Sequence, residues 1–156
     1  MLIITSEQVV QIRNHAEKSY PQECCGLLMG RQDLGDRKMI MEVWPMQNVW
    51  SPATAEVFQG LDNSPNITTR QERFTIAPEA LMKAQKEGRD RHLSIIGIYH
   101  SHPDHPAIPS EFDRVCAWSE YSYIIVSLIG GNSTDFLNWC LDANHEFEAE
   151  ELIYRD

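Results

Sequence analysis

Two histidines, a serine and an aspartate stand close together in the middle of the chain, with a spacing that suits a metal site. His100 and His102 lie one residue apart, and Ser110 and Asp113 follow after a loop. Side chains of a strand alternate between its two faces, so both imidazoles point to the same side. Two imidazoles and a carboxylate are donors that catalytic zinc uses, with a fourth position left for water. Fe²⁺, Co²⁺ or Mn²⁺ would accept the same donors.

A strand and a helix are expected to position these four side chains. The run 93–99 is rich in β-branched and aromatic residues, which indicates a buried strand. Pro103 has no backbone N–H and is expected to end that strand. Ser110 fits the N-cap of a following helix, and Asp113 then falls on its first turn. A rigid first turn would direct the carboxylate back towards the strand end.

Ser110 and Asp113 also fit a purely structural role. Ser-x-x-Asp resembles a capping box, and for such a pair in isolation capping is the more common explanation. A single histidine at a strand end is likewise an ordinary polar terminus. The four residues together favour a metal site, and an open one, because a structural zinc site would close its fourth position with Cys or His.

The same residues resemble a known signature. The run 100–103 (HSHP), six residues, Ser110, two residues and Asp113 is similar to the motif of the JAMM (MPN-plus) metallopeptidases. That family also carries a glutamate before a short apolar segment containing glycine, and the run 23–28 (ECCGLL) fits that pattern. The resemblance covers nearly the whole chain, in the order helix, glutamate, strand, helix, strand, motif, helix and strand.

The resemblance implies a role for each of five residues. His100, His102 and Asp113 would hold one catalytic Zn²⁺. Glu23 would act as general base on the zinc-activated water, and Ser110 would help to stabilise the oxyanion of the tetrahedral intermediate. Zinc lowers the pKa of water to about 7, and a nearby carboxylate can take the proton and return it to the leaving amine. As a cap Ser110 only accepts, so its hydroxyl hydrogen stays available to donate.

The implied activity is hydrolysis of an amide bond after the C-terminal glycine of a ubiquitin-like or sulfur-carrier protein. A glycine tail can thread a narrow groove as an added strand, held by backbone hydrogen bonds. Many MPN relatives lack the zinc ligands and act as scaffolds, so a non-catalytic binding module is the first alternative. RadC-like proteins, which have been linked to DNA repair, share a similar motif and are the second alternative. The acidic charge and the missing helix-hairpin-type DNA-binding segment speak against that second alternative.

Length and composition narrow the class of protein. The 156 residues predict one domain, 1–156. The net charge of −10, with no basic cluster, argues against a nucleic-acid partner. No apolar run reaches membrane-spanning length and the N-terminus is too short for a signal peptide, so we expect a cytoplasmic protein without a membrane partner. The four cysteines form no C-x-x-C pair and are expected to be reduced. The oligomeric state stays open.

The element pattern predicts an α+β (mixed α/β) fold, a curved mixed sheet flanked by helices. The resemblance further implies the cytidine-deaminase-like architecture of JAMM/MPN domains. The segment 45–73 is rich in Asn, Pro, Ser and Thr and too long for an ordinary connection. It is expected either to pack on the domain or to form an insertion that contacts the substrate, as several JAMM relatives have there. We also expect a strand at 74–76, a positive φ at Gly35, and a closing hairpin of 136–142 with 147–154.

Overall fold

The computed structural model of the protein describes residues 1–51 and 73–156. The proposed insertion 45–73 therefore lies mostly outside the described residues. At its start, Pro45 and Met46 still belong to a strand, so the connection begins later than the sequence indicates.

The described residues form three helices and eight strands. The helices are α1 (Ser6–Ser19), α2 (Pro78–Asp90) and α3 (Glu111–Cys116). The strands are β1 (Leu2–Ile4), β2 (Cys25–Gln32), β3 (Lys38–Met46), β4 (Ser94–Pro103), β5 (Ser122–Ile129), β6 (Asn132–Leu141), β7 (Phe147–Ala149) and β8 (Leu152–Tyr154).

All eight described strands belong to one mixed sheet, in the order β7-β6-β5-β4-β2-β3-β1-β8. β4 lies at its centre, antiparallel to β2 and parallel to β5. β1 pairs in parallel with both β3 and β8, which brings the two ends of the chain to the same edge. The mixed sheet flanked by helices confirms the α+β prediction.

Each face of the sheet has its own apolar core. On one face α1 packs through Val9, Ile12 and Ala16, whose spacing of three and four residues places them on one side of the helix. On the other face α2 covers buried residues of β2, including Leu27 and Met29. Because successive side chains of β4 alternate between these faces, Tyr99 packs in the α1 core while its neighbours face the α2 side.

The ends of α1 and α3 follow local capping chemistry. The Thr5 hydroxyl accepts from the Gln8 backbone N–H, while the Gln8 side chain accepts from the Thr5 N–H. Ser110 and Asp113 form the same reciprocal pair at the start of α3. Pro78 begins α2, where its missing N–H costs nothing.

Three local predictions are wrong. Residues 74–76 form no strand, since their contacts are with side chains and a loop rather than with a sheet edge. In the β2–β3 turn the positive φ falls on Asp36 rather than Gly35, because Asp33 accepts the N–H groups of Gly35 and Arg37 and sets the turn. The closing hairpin is shorter than expected: β7 pairs with β6, but β8 leaves it to pair with β1.

Candidate metal centre

The end of β4 brings the two motif histidines together. The Nε2 atoms of His100 and His102 are 3.1 Å apart. Ser101, between them, faces the opposite side of the sheet, where its hydroxyl accepts the N–H of Cys24 at 2.8 Å. Because side chains alternate along the strand, both imidazoles face the same side of β4. Ser101 faces the other side and binds the segment that carries Glu23.

Helix α3 supplies the carboxylate. Asp113 Oδ2 lies 3.3 Å from Nε2 of His100 and 3.3 Å from Nε2 of His102. The same oxygen accepts the Ser110 N–H at 2.9 Å, and the Ser110 hydroxyl accepts the Asp113 N–H at 3.0 Å. Ser110 and Asp113 thus form the capping box that the sequence pattern indicates. The same capping box also holds the carboxylate against both rings.

The loop after β4 fixes the orientation of one ring. His102 Nδ1 lies 2.8 Å from the Pro106 carbonyl oxygen. A carbonyl can only accept, so Nδ1 carries a hydrogen, and in the neutral form of the ring the lone pair is therefore on Nε2. A backbone carbonyl in this position is the usual partner of a metal-ligating histidine.

His100 is held by packing instead. The ring is buried, and Phe74 stacks on it with centroids 4.7 Å apart. Its Nδ1 has no hydrogen-bond partner within residues 1–51 and 73–156. Burial lowers the pKa of His100, more than the neighbouring Asp113 raises it, so the ring is neutral near pH 7.

Glu23 reaches the same place from the segment before β2. It is 5% exposed, and its carboxylate with His100 and His102 forms a group whose ligand atoms all lie within 4.8 Å of one another. The structure therefore brings together His100, His102, Asp113 and Glu23, with Ser110 attached through the cap.

The charge distribution favours a cation at this site. Burial alone raises the pKa of Asp113, but the two facing histidines outweigh it and hold the pKa well below its usual range. An ionised carboxylate and two imidazole nitrogens meet in a largely buried space, where unpaired charge is costly.

The donor geometry fits zinc. Four-coordinate zinc with bonds of about 2.0–2.1 Å places neighbouring donor atoms of a tetrahedron about 3.3 Å apart. The three distances between the histidine nitrogens and Asp113 Oδ2 are 3.1, 3.3 and 3.3 Å. His100, His102 and Asp113 thus suit three corners of one tetrahedron, and Glu23 lies beside the histidine pair.

The cysteines beside the site are not poised as nucleophiles. Burial raises the pKa of the Cys24 thiol to about 12, and it also raises the pKa of Cys25. Both stay thiols near pH 7, and a thiol is a weak nucleophile. All four cysteines are free, as the sequence predicted.

Two cavities open next to the candidate ligands. One of about 440 Å³ borders His100 and Asp113 and is lined mainly by apolar side chains, among them Phe74, Ile76, Ile98, Phe112, Val115 and Trp118. The other, about 370 Å³, borders Glu23 and is lined mainly by polar side chains, among them His15, Lys18, Gln22, Gln47 and Asn48.

In residues 1–51 and 73–156, no helix is long and apolar enough to cross a membrane.

Four groups that contact the candidate site residues were not predicted from the sequence. They are Ser101, Phe74, Asn48 and the Pro106 carbonyl. Ser101 could have been found from its place between the two histidines on a strand. The contacts of Phe74 and Asn48 depend on where the chain returns after a long connection, which the sequence pattern does not specify.

Comparisons with known proteins agree with this geometry. The family Prok-JAB, described as prokaryotic homologs of the JAB domain, matches residues 5–141. The chain is 32% identical over 121 residues to a probable TtuB-protein conjugate cleaving protease of Thermus thermophilus, covering 77% of this chain and 66% of the relative. It is 29% identical over 116 residues to a desampylase of Haloferax volcanii, covering 74% and 69%. The matches span about two thirds of the length of both relatives.

Solved structures share the fold. A protein of Desulfitobacterium hafniense, solved in solution, matches with a TM-score of 0.76 at 29% identity, covering 100% of this chain and 94% of that one. A JAB1/MPN domain protein from Archaeoglobus fulgidus matches with a TM-score of 0.54 at 17% identity, covering 100% and 97%, which concerns the fold alone. With the family match extending over most of its length, the chain belongs to the Prok-JAB family, the prokaryotic homologues of the JAB domain.

Proposed function

We propose that this protein is a JAMM-type zinc metallopeptidase that hydrolyses the amide bond after the C-terminal glycine of a ubiquitin-like or sulfur-carrier protein. The observation that carries the proposal is the meeting of His100 Nε2, His102 Nε2 and Asp113 Oδ2 within 3.3 Å, with Glu23 beside the histidine pair. The names of the Thermus and Haloferax relatives, a conjugate-cleaving protease and a desampylase, support this substrate class.

The ligand roles follow from the donor distances. His100, His102 and Asp113 would hold the zinc, because their donor atoms have the separations of a tetrahedral site. When bound, zinc lowers the pKa of water and polarises a carbonyl oxygen. Glu23 is then left to act as a base rather than as a ligand.

Glu23 would move the proton. Its carboxylate is buried next to the histidine pair, on the border of the polar cavity. From there it would take a proton from the attacking water and deliver it to the leaving amine. General acid–base catalysis of this kind contributes about 10²- to 10⁴-fold to the rate.

Ser110 would stabilise the developing oxyanion. Its Oγ accepts the Asp113 N–H, so the hydroxyl hydrogen remains free to donate towards the site. A donor of this kind contributes about 10²- to 10³-fold to kcat in comparable sites. The cap and the donor role are therefore compatible in one side chain.

The segment 45–73 and the cellular location complete the proposal. Both described ends of that segment pack on α3: Trp50 meets the Phe112 ring edge-on at 5.6 Å, and the Arg73 guanidinium lies 4.4 Å from its centre. We propose a single domain, 1–156, with 45–73 as an insertion, and these contacts support packing of its described ends on that domain. The four free thiols suit a reducing compartment, which supports a cytoplasmic protein.

A cleavage assay tests the proposal. The substrate is a ubiquitin-like carrier joined through its C-terminal glycine to a lysine side chain, incubated with zinc-loaded protein. We expect cleavage by the wild type, loss of about 10²- to 10⁴-fold in Glu23→Gln, and no change in the control Glu7→Gln on the exposed side of α1.

Metal content is measured on the same samples. Retention of zinc by Glu23→Gln is expected if Glu23 is the base, while loss of zinc would make it a ligand instead. Absence of cleavage by zinc-loaded wild type would contradict the proposal and favour a non-catalytic MPN scaffold.

A further inference from the structure

The side chain of Asn48 makes four hydrogen bonds at the base of the site. Its Nδ2 donates to the carbonyl oxygen of Glu23 at 3.1 Å and to that of Arg73 at 3.0 Å. Its Oδ1 accepts the backbone N–H of Trp50 at 3.0 Å and that of Thr75 at 3.2 Å. One side chain thus connects three separate stretches of backbone, one of which carries Glu23.

The chemistry of the four partners requires an amide. Two of them are carbonyls, which only accept, and two are N–H groups, which only donate. An amide offers two N–H hydrogens on one atom and two lone pairs on the other, so its orientation is fixed by these partners. A carboxylate of the same shape could serve the two N–H groups but neither carbonyl.

Glu23 lies in the segment just before the sheet, where side chains contact its backbone. Strand β2 and its pairing with β4 begin at Cys25. Its carbonyl is held by Asn48, and the next N–H, that of Cys24, is held by the Ser101 hydroxyl. Ser101 in turn lies between the two histidines. The Ser101 N–H also donates to the Cys24 carbonyl at 3.2 Å. Asn48 and Ser101 therefore hold the backbone of Glu23 beside the end of β4 from both sides of its peptide.

We propose that Asn48 is a positioning residue that acts through Glu23, a role that rests on the function proposed above. Its donation to the Glu23 carbonyl holds the carboxylate in reach of the histidine pair. A displacement of about 1 Å in such a group can cost about 100-fold in rate without removing any catalytic atom. Asn48 itself would touch neither the metal nor the scissile bond.

Two substitutions at Asn48 separate this role from simple support of the loop. Asn48→Ala removes all four hydrogen bonds. Asn48→Asp keeps the acceptors for Trp50 and Thr75 but loses both donations. We expect both variants to lower kcat by about 10- to 100-fold with little change in KM. Asn144→Asp, which adds the same charge on an exposed turn, is expected to match the wild type.

A second readout does not depend on catalysis. Hydrogen exchange of the Cys24 backbone amide reports how firmly the Glu23 segment is held. The Cys24 N–H donates to Ser101 rather than to Asn48, so its exchange changes only if the adjacent Glu23 backbone loosens. We expect exchange to be faster by about fivefold in both Asn48 variants, as loss of the hydrogen bond between Asn48 and the Glu23 carbonyl implies, with zinc content unchanged.

The outcomes are distinguishable. A wild-type protein that cleaves no carrier conjugate contradicts the proposed function, whereas the exchange result still tests the anchoring. Wild-type kcat in Asn48→Asp together with a loss in Asn48→Ala would mean that only the loop support matters and would overturn the inference. Unchanged Cys24 exchange in both variants would overturn it as well.

Discussion

At the scale of single residues, Ser110 and Asp113 serve the fold and the site with the same atoms. Asp113 Oδ2 accepts the Ser110 N–H of the capping box and faces both histidines. Ser110 Oγ accepts the Asp113 N–H and keeps its own hydrogen. Capping is thus compatible with the proposed site, because the capping box holds the carboxylate that faces the two rings.

Substitution of Ser110 can separate the two roles. Ser110→Ala is expected to cost about 1 kcal/mol of unfolding free energy, and Ser110→Gly only a few tenths, because glycine is tolerated as an N-cap. Both lack the hydroxyl, so both should lose about 10²- to 10³-fold in kcat. Urea unfolding and the cleavage assay measure the two effects. If Ser110→Gly kept wild-type kcat, Ser110 would be a cap only.

At the scale of elements, the two faces of β4 contact different parts of the molecule. His100 and His102 face the candidate metal centre, while Tyr99 and Ser101 face the α1 side. Tyr99 is fully buried, and its hydroxyl lies 2.7 Å from His15 Nδ1 on α1. The strand is therefore anchored on its α1 face, directly next to the two candidate ligands on its other face.

This anchoring requires a glycine on the neighbouring strand. Gly26 pairs with Tyr99, and a Cβ at position 26 would lie 2.2 Å from the tyrosine ring. We expect Gly26→Ala to cost about 1–3 kcal/mol of unfolding free energy, measured in urea, because the buried ring must shift. Gly35→Ala is the control: it lies in an exposed turn where the nearest atom would be 3.4 Å away, so little change is expected. Equal stability of both variants would contradict this packing account.

The elements and caps that depend on neighbouring residue types could be predicted from the sequence. Strand pairings that depend on residues distant in the chain could not. The strand with His100 and His102, the cap at Ser110 and the start of α2 at Pro78 all follow from neighbouring residue types, and the structure has them. β1 was missed because three residues carry too little periodicity, and its pairing with β3 and β8 is decided by the whole sheet.

The site shows the same division. Its motif residues could be selected from their spacing and family resemblance, and Ser101 from alternation. Asn48 and Phe74 could not, because they lie on either side of a long connection whose return path is a tertiary property. Gly88 shows the same dependence: glycine commonly ends a helix, but α2 continues past it to Asp90, and a Cβ at position 88 would lie 2.8 Å from the Leu93 carbonyl oxygen.

At the scale of the whole molecule, the candidate centre joins three regions that are distant in sequence. Glu23 comes from the segment before β2, the histidines from β4, and Asp113 from α3. Their donor atoms face a largely buried space, in which the ionised Asp113 carboxylate favours a cation. This arrangement supports the metal proposed above.

Zinc content, measured by elemental analysis, tests this central claim most directly. The account predicts about one zinc ion per chain in the wild type and none in His100→Ala/His102→Ala. His105→Ala, which removes an exposed ring from the loop after the same strand, should keep the zinc. Wild-type protein that takes up no metal even when zinc is supplied, or a double variant that still binds one, would contradict the account.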